Sequence, residues 1–348
     1  MNDVILLAEK LYKNHSLGVA EYEKLVAERN EETARYLHEK ADEVRKSVYG
    51  NKVFVRGLVE ISNICKNDCY YCGIRRSNQS CDRYRLSPDE ILSCCDEGYE
   101  LGFRTFVLQG GEDGFFTDAV LCELVKKIKN AYPDCAVTLS LGERSKESYE
   151  KLFSVGADRY LLRHETANEE LYGKLHPDSM LLKNRMECLG NLKKIGFQTG
   201  CGFMVGAPYQ RAKHIAEDLK FIEEFKPDMC GIGPFVPHKE TIFKDFEQGS
   251  AELTCYLLSV IMLIQPNILL PATTALGTID PEGREKGILS GANVVMPNLS
   301  PEGVRKKYDL YDNKISSGSE SAENIKDLEK RMKNIGFEIV THRGDIIK

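Results

Sequence analysis

From residue 53 onward, short apolar runs alternate with segments whose apolar residues recur at helical spacing. The runs predict strands over 53–61, 105–109, 136–141, 159–163, 198–205, 229–233, 268–274 and 293–296. The periodic segments between them predict helices over 88–101, 118–131, 145–155, 182–195, 215–225, 253–264 and 281–289. Gly156, Gly196 and Gly291 fall where helices must end before the next strand, as C-terminal glycine caps do. Eight strands alternating with helices imply an α/β protein with a parallel sheet, and eight such units close most naturally into a (β/α)8 TIM-type barrel. A doubly wound open sheet is the alternative, but no G-x-G-x-x-G fingerprint follows the first strand. Residues 1–50 carry two helical apolar faces (Leu6, Leu7, Leu11 and Tyr12; Tyr36, Leu37, Ala41 and Val44) and read as an N-terminal helical cap. Residues 51–300 form the barrel, and 301–348 a small C-terminal extension packed on it. Within the extension, 316–323 reads as a polar linker, followed by a helix near 323–335 and a short strand, 337–340, packing outside the barrel.

Composition narrows the class. The chain has 348 residues, 42% apolar and 29% charged, ordinary for a soluble enzyme. A net charge of −6 points away from nucleic acid and membrane surfaces as partners. No apolar run approaches the roughly 20 residues a membrane-spanning helix needs. The start, Met1-Asn2-Asp3-Val4, lacks the basic and apolar segments of a signal peptide. Twelve cysteines without an export signal imply metal or free thiols in a reducing cytosol, so the expected location is cytoplasmic.

Three of those cysteines stand together. Cys65, Cys69 and Cys72 read C-x3-C-x2-C, with Tyr71 before the last, directly after the first predicted strand. Thiolates are soft ligands for iron–sulfur clusters, zinc or copper(I). Structural zinc closes with a fourth ligand, and the nearest cysteine, Cys81, is not at such a spacing. Three ligands suit a four-iron cluster with one iron left open, against a zinc knob or three core cysteines. The other nine cysteines are scattered and read as small buried hydrophobes.

In such a barrel function gathers at the C-terminal ends of strands. There the sequence places Gln109-Gly110-Gly111-Glu112, then Thr138, Ser140 and Glu143, then Arg163-His164-Glu165, then Met204, then Pro237-His238, and finally Thr273-Thr274. Gly110 and Gly111 let backbone approach a zwitterion closely, and they equally fit a plain turn. Arg163 and Glu165, two apart along a strand, share a face; they either pair with each other or clamp a charged ligand. Arg185 can fork onto a carboxylate or sit on the surface. Thr273 and Thr274 offer hydroxyls, though threonine is common in strands anyway. His164, His176 and His238 have no metal-ligand spacing and read as hydrogen-bonding residues.

The C-x3-C-x-aromatic-C pattern resembles that of the radical S-adenosylmethionine (SAM) enzymes. Tyr-Cys-Gly-Ile-Arg-Arg at 71–76, Leu-Gln-Gly-Gly-Glu-Asp at 108–113, Leu-Ser-Leu-Gly-Glu at 139–143, Tyr-Leu-Leu-Arg-His-Glu-Thr-Ala-Asn at 160–168, Gly-Ile-Gly-Pro-Phe at 231–235, Pro-Ala-Thr-Thr-Ala at 271–275 and Ala-Asn-Val-Val-Met-Pro-Asn at 292–298 together resemble the HydE family of [FeFe]-hydrogenase maturases. The resemblance implies that Cys65, Cys69 and Cys72 hold a [4Fe–4S] cluster whose open iron binds SAM. It implies that Gln109, Gly110, Gly111, Glu165 and Arg185 seat SAM, with Met204 near the adenine. It implies reductive cleavage to a 5′-deoxyadenosyl radical. Thr138, Arg163, Thr273, Thr274 and Tyr311 would line a substrate cavity. The substrate would be an organometallic iron intermediate carrying cysteine, CO and cyanide, delivered by HydG, on the way to the di-iron subsite of the hydrogenase; HydF is a further expected partner. Some family members carry a second cluster on C-x7-C-x2-C; here those positions are Ser316, Asn324 and Asp327, so one cluster is expected. The rivals are a small-molecule mutase or sulfur-transfer enzyme, like methylornithine synthase or biotin synthase, and a non-catalytic iron–sulfur carrier.

Overall fold

A computed structural model describes residues 3–347. Its first barrel strand is broken at Arg56 into Lys52–Val55 and Gly57–Ser62. The second piece starts a parallel sheet that continues in order through Thr105–Gly110, Ala136–Ser140, Arg159–Leu161, Gln198–Cys201 and Met229–Cys230. Single parallel bridges carry the ring onward, Met229 to Leu269 and Pro271 to Val294. A ladder from Val294–Val295 to Lys52–Val55 then closes it, with Phe54 opposite Val294. All eight positions are parallel, as the alternation of strands and helices requires.

The seventh position departs from the expected strand over 268–274. Pro271 has no N–H to give a ladder. The side chain of Asn293 stands in, its Oδ1 accepting from Leu270 N at 2.8 Å and its Nδ2 donating to Ile268 O at 3.0 Å. The backbone then turns at Thr273, and Thr274–Ile279 is helical, so Thr274 opens a helix rather than ending a strand.

The outer helices start where short polar side chains can satisfy free amides. Ser87 accepts from Glu90 N, and Glu90 returns the bond to Ser87 N at 2.7 Å, before Pro88–Glu100. Thr117, Ser145, Asn168 and Ser250 cap the helices after them in the same way. Gly156, Gly196 and Gly291 all have positive φ, between 104° and 110°, as helix-ending glycines do. Ala251–Ile264 is apolar almost all round, because it is buried on two sides. The barrel lies on one side; on the other, the N-terminal helices Val19–Ala27 and Glu31–Tyr49 meet it through Tyr256 Oη to Leu25 O (2.8 Å) and His38 to Ser259 (2.8 Å).

The C-terminal extension is more involved than expected. Glu338–Val340 does not pack apart; it pairs with the first barrel strand, Lys52 opposite Glu338. Residues 343–345 then run under the strand starts, where Asp345 accepts from buried Arg159 at 2.6 Å and from Gln198 at 2.8 Å. Nor is 316–323 a linker. It forms two 3-10 turns, bridges Asn298 through Ser321, and buries Glu320 against Arg284.

Candidate active site

Beyond Ser62 the chain loops back to Tyr84, and Arg83 organises that loop. Its guanidinium donates to four carbonyls, those of Asn63, Ile74, Arg75 and Asn78, at 2.6–3.1 Å. Asp68 ties Arg75 (2.9 Å) and Ser77 (2.8 Å) into the same curl. Burial works to raise its carboxyl, yet these bonds hold it down at about 2. The second strand's end closes one side: Glu112 N donates to Cys65 Sγ at 3.4 Å. Gly111 is glycine because a Cβ there would lie 2.3 Å from Ile64 O and 2.8 Å from Cys65 Cβ.

The three thiols sense one another. Burial pushes all of them up, to about 12 for Cys72; Cys65 adds to the effect on Cys72, and both Cys72 and Cys65 add to it on Cys69. Sulfurs so placed gain from a cationic, soft centre that takes them as thiolates.

Strand four ends at Leu161, so Arg163 and Glu165 do not meet by strand alternation. They meet because Glu165 takes a left-handed conformation, φ 67°, which costs a non-glycine residue about 1–3 kcal/mol. The guanidinium and carboxylate lie 3.2 Å apart, but at an angle that makes no hydrogen bond. Among the described residues, Arg163 Nε, Arg163 Nη2 and Glu165 Oε2 are buried without a hydrogen-bond partner, as are Thr138 Oγ1 and Thr273 Oγ1. Buried polar atoms left open in this way fit a polar ligand. The Glu165 charge also raises Cys69 and Cys72, so this group faces the cysteine loop.

Arg185 is buried and committed on one edge, to Glu143 at 2.5 Å and to Arg163 O at 2.6 Å. Burial, then the Glu60 charge, push the Tyr308 phenol up, with smaller effects from Cys72 and Cys65, so Tyr308 lies near the cysteine loop and Gln109. Met204 packs with Leu171, Leu175 and Phe235 in a small apolar cluster that Tyr70 and Tyr71 cover. Thr274 donates to Glu320 at 3.0 Å, and burial pushes the Tyr311 phenol up, with Glu320 and Glu60 adding to the effect. The structure thus brings Arg163, Glu165 and Arg185 together next to the cysteine loop, with Met204 in the apolar cluster beside Tyr70 and Tyr71. Sequence reasoning missed Glu60, Tyr308, Lys314 and Glu320. Glu60 alone had a signal: a charge inside an apolar run, Val59-Glu60-Ile61.

Two histidines near the mouth settle as hydrogen-bonding groups. His238 sits with Asp309 and Asp312, their ligand atoms within 4.8 Å of one another. Glu240 N donates to its Nδ1 at 3.1 Å, so Nε2 carries the proton and faces Asp309 at 3.3 Å, leaving no lone pair for a metal. His176 stacks on Tyr172, its Nδ1 3.0 Å from the Tyr172 carbonyl. A carbonyl only accepts, so Nδ1 carries the proton and Nε2 accepts from Tyr71 Oη at 3.3 Å. Burial, and then the Arg185 charge, hold its pKa down at about 3. Between the free value of 6.5 and about 3, the unfolded chain binds a proton that the folded one refuses, so stability falls as pH drops through that window. From about pH 7.5 to about pH 5 this one group removes about 2 kcal/mol. Urea melts should show His176→Phe losing that much less than the parent; equal losses would refute the assignment.

Residues 59–222 match the family model described as the radical SAM superfamily, whose members work with a [4Fe–4S] cluster and SAM. The [FeFe] hydrogenase maturase subunit HydE of Thermotoga maritima is 46% identical over 275 residues, 79% of this chain and 78% of its own. A 3-methylornithine synthase of Methanosarcina acetivorans is 28% identical over 97% of this chain and 94% of its own. Among solved structures, a methylornithine synthase matches with a TM-score of 0.83 at 24% identity, covering 96% of this chain and 97% of that one. The maturase HydG from Carboxydothermus hydrogenoformans matches at 0.81 and 19% identity, covering 97% and 79%. These two structures share the fold, a (β/α)8 barrel. With 46% identity across more than three-quarters of both chains, the protein belongs to the HydE family of radical SAM enzymes.

Proposed function

We propose that this chain is a cytoplasmic [FeFe]-hydrogenase maturase that acts on an organometallic iron intermediate carrying cysteine, CO and cyanide. Cys65, Cys69 and Cys72 hold its one [4Fe–4S] cluster, since Ser316, Asn324 and Asp327 offer no thiolate for a second. Gln109, Gly110, Gly111, Glu165 and Arg185 seat SAM, and Met204 supports its adenine. Cluster and SAM together supply one-electron cleavage of a sulfonium. The chain's own task is orientation and exclusion of water, which a closed ring with a buried interior performs. Thr138, Arg163, Thr273, Thr274 and Tyr311 form the substrate cavity, where hydroxyl and guanidinium donors suit carboxylate and cyanide groups. HydG supplies the substrate and HydF takes part downstream. The observation that carries this reading is the Arg163–Glu165 pair, 3.2 Å apart without a hydrogen bond, with the Glu165 charge acting on Cys69 and Cys72 of the three-thiol loop.

Anaerobic reconstitution with dithionite and SAM should yield 5′-deoxyadenosine, and the gene should restore hydrogenase activity to a strain lacking its own maturase. Arg163→Met should abolish that restoration, since it removes the guanidinium that would hold the anionic groups of the substrate. Substrate-independent 5′-deoxyadenosine formation should survive it. A mutase reading has its own support, the 28% identity to 3-methylornithine synthase over nearly the whole chain. Turnover of lysine, without hydrogenase maturation, would establish that reading and sink the first.

A further inference from the structure

We infer that Asp218 and His164 are positioning residues that lock Glu165 into its left-handed conformation and so set the SAM-binding carboxylate. This rests on the reading that Glu165 binds SAM.

Glu165 is a non-glycine residue at φ 67°, and such a conformation persists only where the surroundings over-determine it. Here the helix Ala212–Phe225 does so from behind the strand. Asp218, fully buried on that helix, takes hold on both sides of Glu165. Its Oδ1 accepts from Ala167 N at 2.5 Å, two residues after, and lies 3.4 Å from His164 Nε2, one residue before. Gly202 N donates to His164 Nδ1 at 3.2 Å, so Nε2 bears the proton; it lies near the Asp218 carboxylate at an angle that makes no hydrogen bond. Glu165 N in turn donates to Gly202 O at 3.0 Å, so the same glycine brackets both residues. The neighbouring helix residue Glu217 accepts from Asn168 Nδ2 at 2.8 Å, and the Phe221 ring lies 4.7 Å from the His164 ring. Two adjacent turns of the helix, through Glu217, Asp218 and Phe221, thus hold the segment 164–168. Burial raises the Asp218 carboxyl, with the neighbouring His164 ring and the Ala167 amide pulling against it. A carboxylate kept in a fully buried place at that cost is explained by what it holds. None of these atoms touches the site directly; they act through the backbone of Glu165.

The test uses Asp218→Val, close in size but unable to accept, and Asp218→Asn, whose amide oxygen still can. In the protein without cluster or SAM, hydrogen exchange at the amides of Glu165 and Ala167 should quicken about tenfold in Asp218→Val and return in Asp218→Asn. Exchange within Ala212–Phe225 should not change. In the reconstituted holoenzyme, Asp218→Val should weaken the SAM dissociation constant about tenfold at unchanged iron content, because small misplacement of a binding group is costly. Glu165→Ala should weaken it at least as much. If Glu165→Ala binds SAM normally, the underlying reading of Glu165 fails. If Glu165→Ala weakens binding but Asp218→Val does not, or if Asp218→Val only lowers thermal stability, the locking role is overturned. Should Asp218→Val not fold, His164→Asn carries the test: it keeps the acceptor for Gly202 and loses the contact to Asp218, and unchanged exchange and SAM affinity would overturn the inference.

Discussion

Cys69→Ala is expected to give a folded protein that takes up little or no iron–sulfur cluster and forms no 5′-deoxyadenosine. The reason is local. In the metal-free chain Cys69 is a half-buried thiol whose partial burial and nearby thiols favour its neutral form, and its sulfur contacts Met180 Sδ at 3.9 Å. A methyl group replaces such a thiol with little loss of packing, so the thermal midpoint of the metal-free protein should barely move. With metal, the balance reverses. Cys65 and Cys72 alone leave two irons of a four-iron cluster without protein ligands, and the remaining thiol of the loop, Cys81, is engaged apart from them against Asn63. Iron and sulfide content, the visible charge-transfer absorption and SAM cleavage should all collapse together. A Cys69→Ala protein that retained full cluster content and cleavage would remove the basis for the proposed function.

The parts of this molecule legible in its sequence are those set by local rules. Period-2 and period-3.6 patterns, with Ser87, Thr117 and Ser145 capping and Gly196 ending helices, place most strands and helices to within a few residues. The cysteine triplet was legible because its spacing is itself local. What escaped depends on partners far along the chain. Glu320 reads as one more polar residue between serines, and only the fold shows Arg284 and Thr274 beside it. Glu338–Val340 reads as a stray strand until it meets Lys52–Val55. The seventh strand was overdrawn because Pro271 breaks its ladder and a side chain, Asn293, replaces it. Arg163 and Glu165 were paired for the wrong reason: the sequence suggests alternation, and the structure substitutes a strained backbone.

The same long-range logic makes Lys314→Met a strongly damaging change outside the cysteines. Lys314 Nζ lies 2.6 Å from Glu60 Oε1, with both side chains nearly inaccessible, at 9% and 1% of full exposure. It also donates to Tyr308 O at 2.9 Å, while the other Glu60 oxygen accepts from Asn298 at 2.8 Å. Methionine fills the space but strands a carboxylate inside the barrel with one neutral donor. Breaking a buried pair from one side costs about 3–5 kcal/mol. The loss should spread to the site, because Gly73 N donates to Leu310 O and Asn63 to Lys307 O, stitching this segment to the cysteine loop. Urea melts should therefore show a fall of that size, with reduced cluster retention. The double variant Glu60→Gln with Lys314→Met should recover much of it, since removing both charges leaves no uncompensated one and Gln can still accept from Asn298. A Lys314→Met protein as stable as the parent, or a double variant weaker than the single, would show that the Glu60 carboxylate does not depend on this lysine.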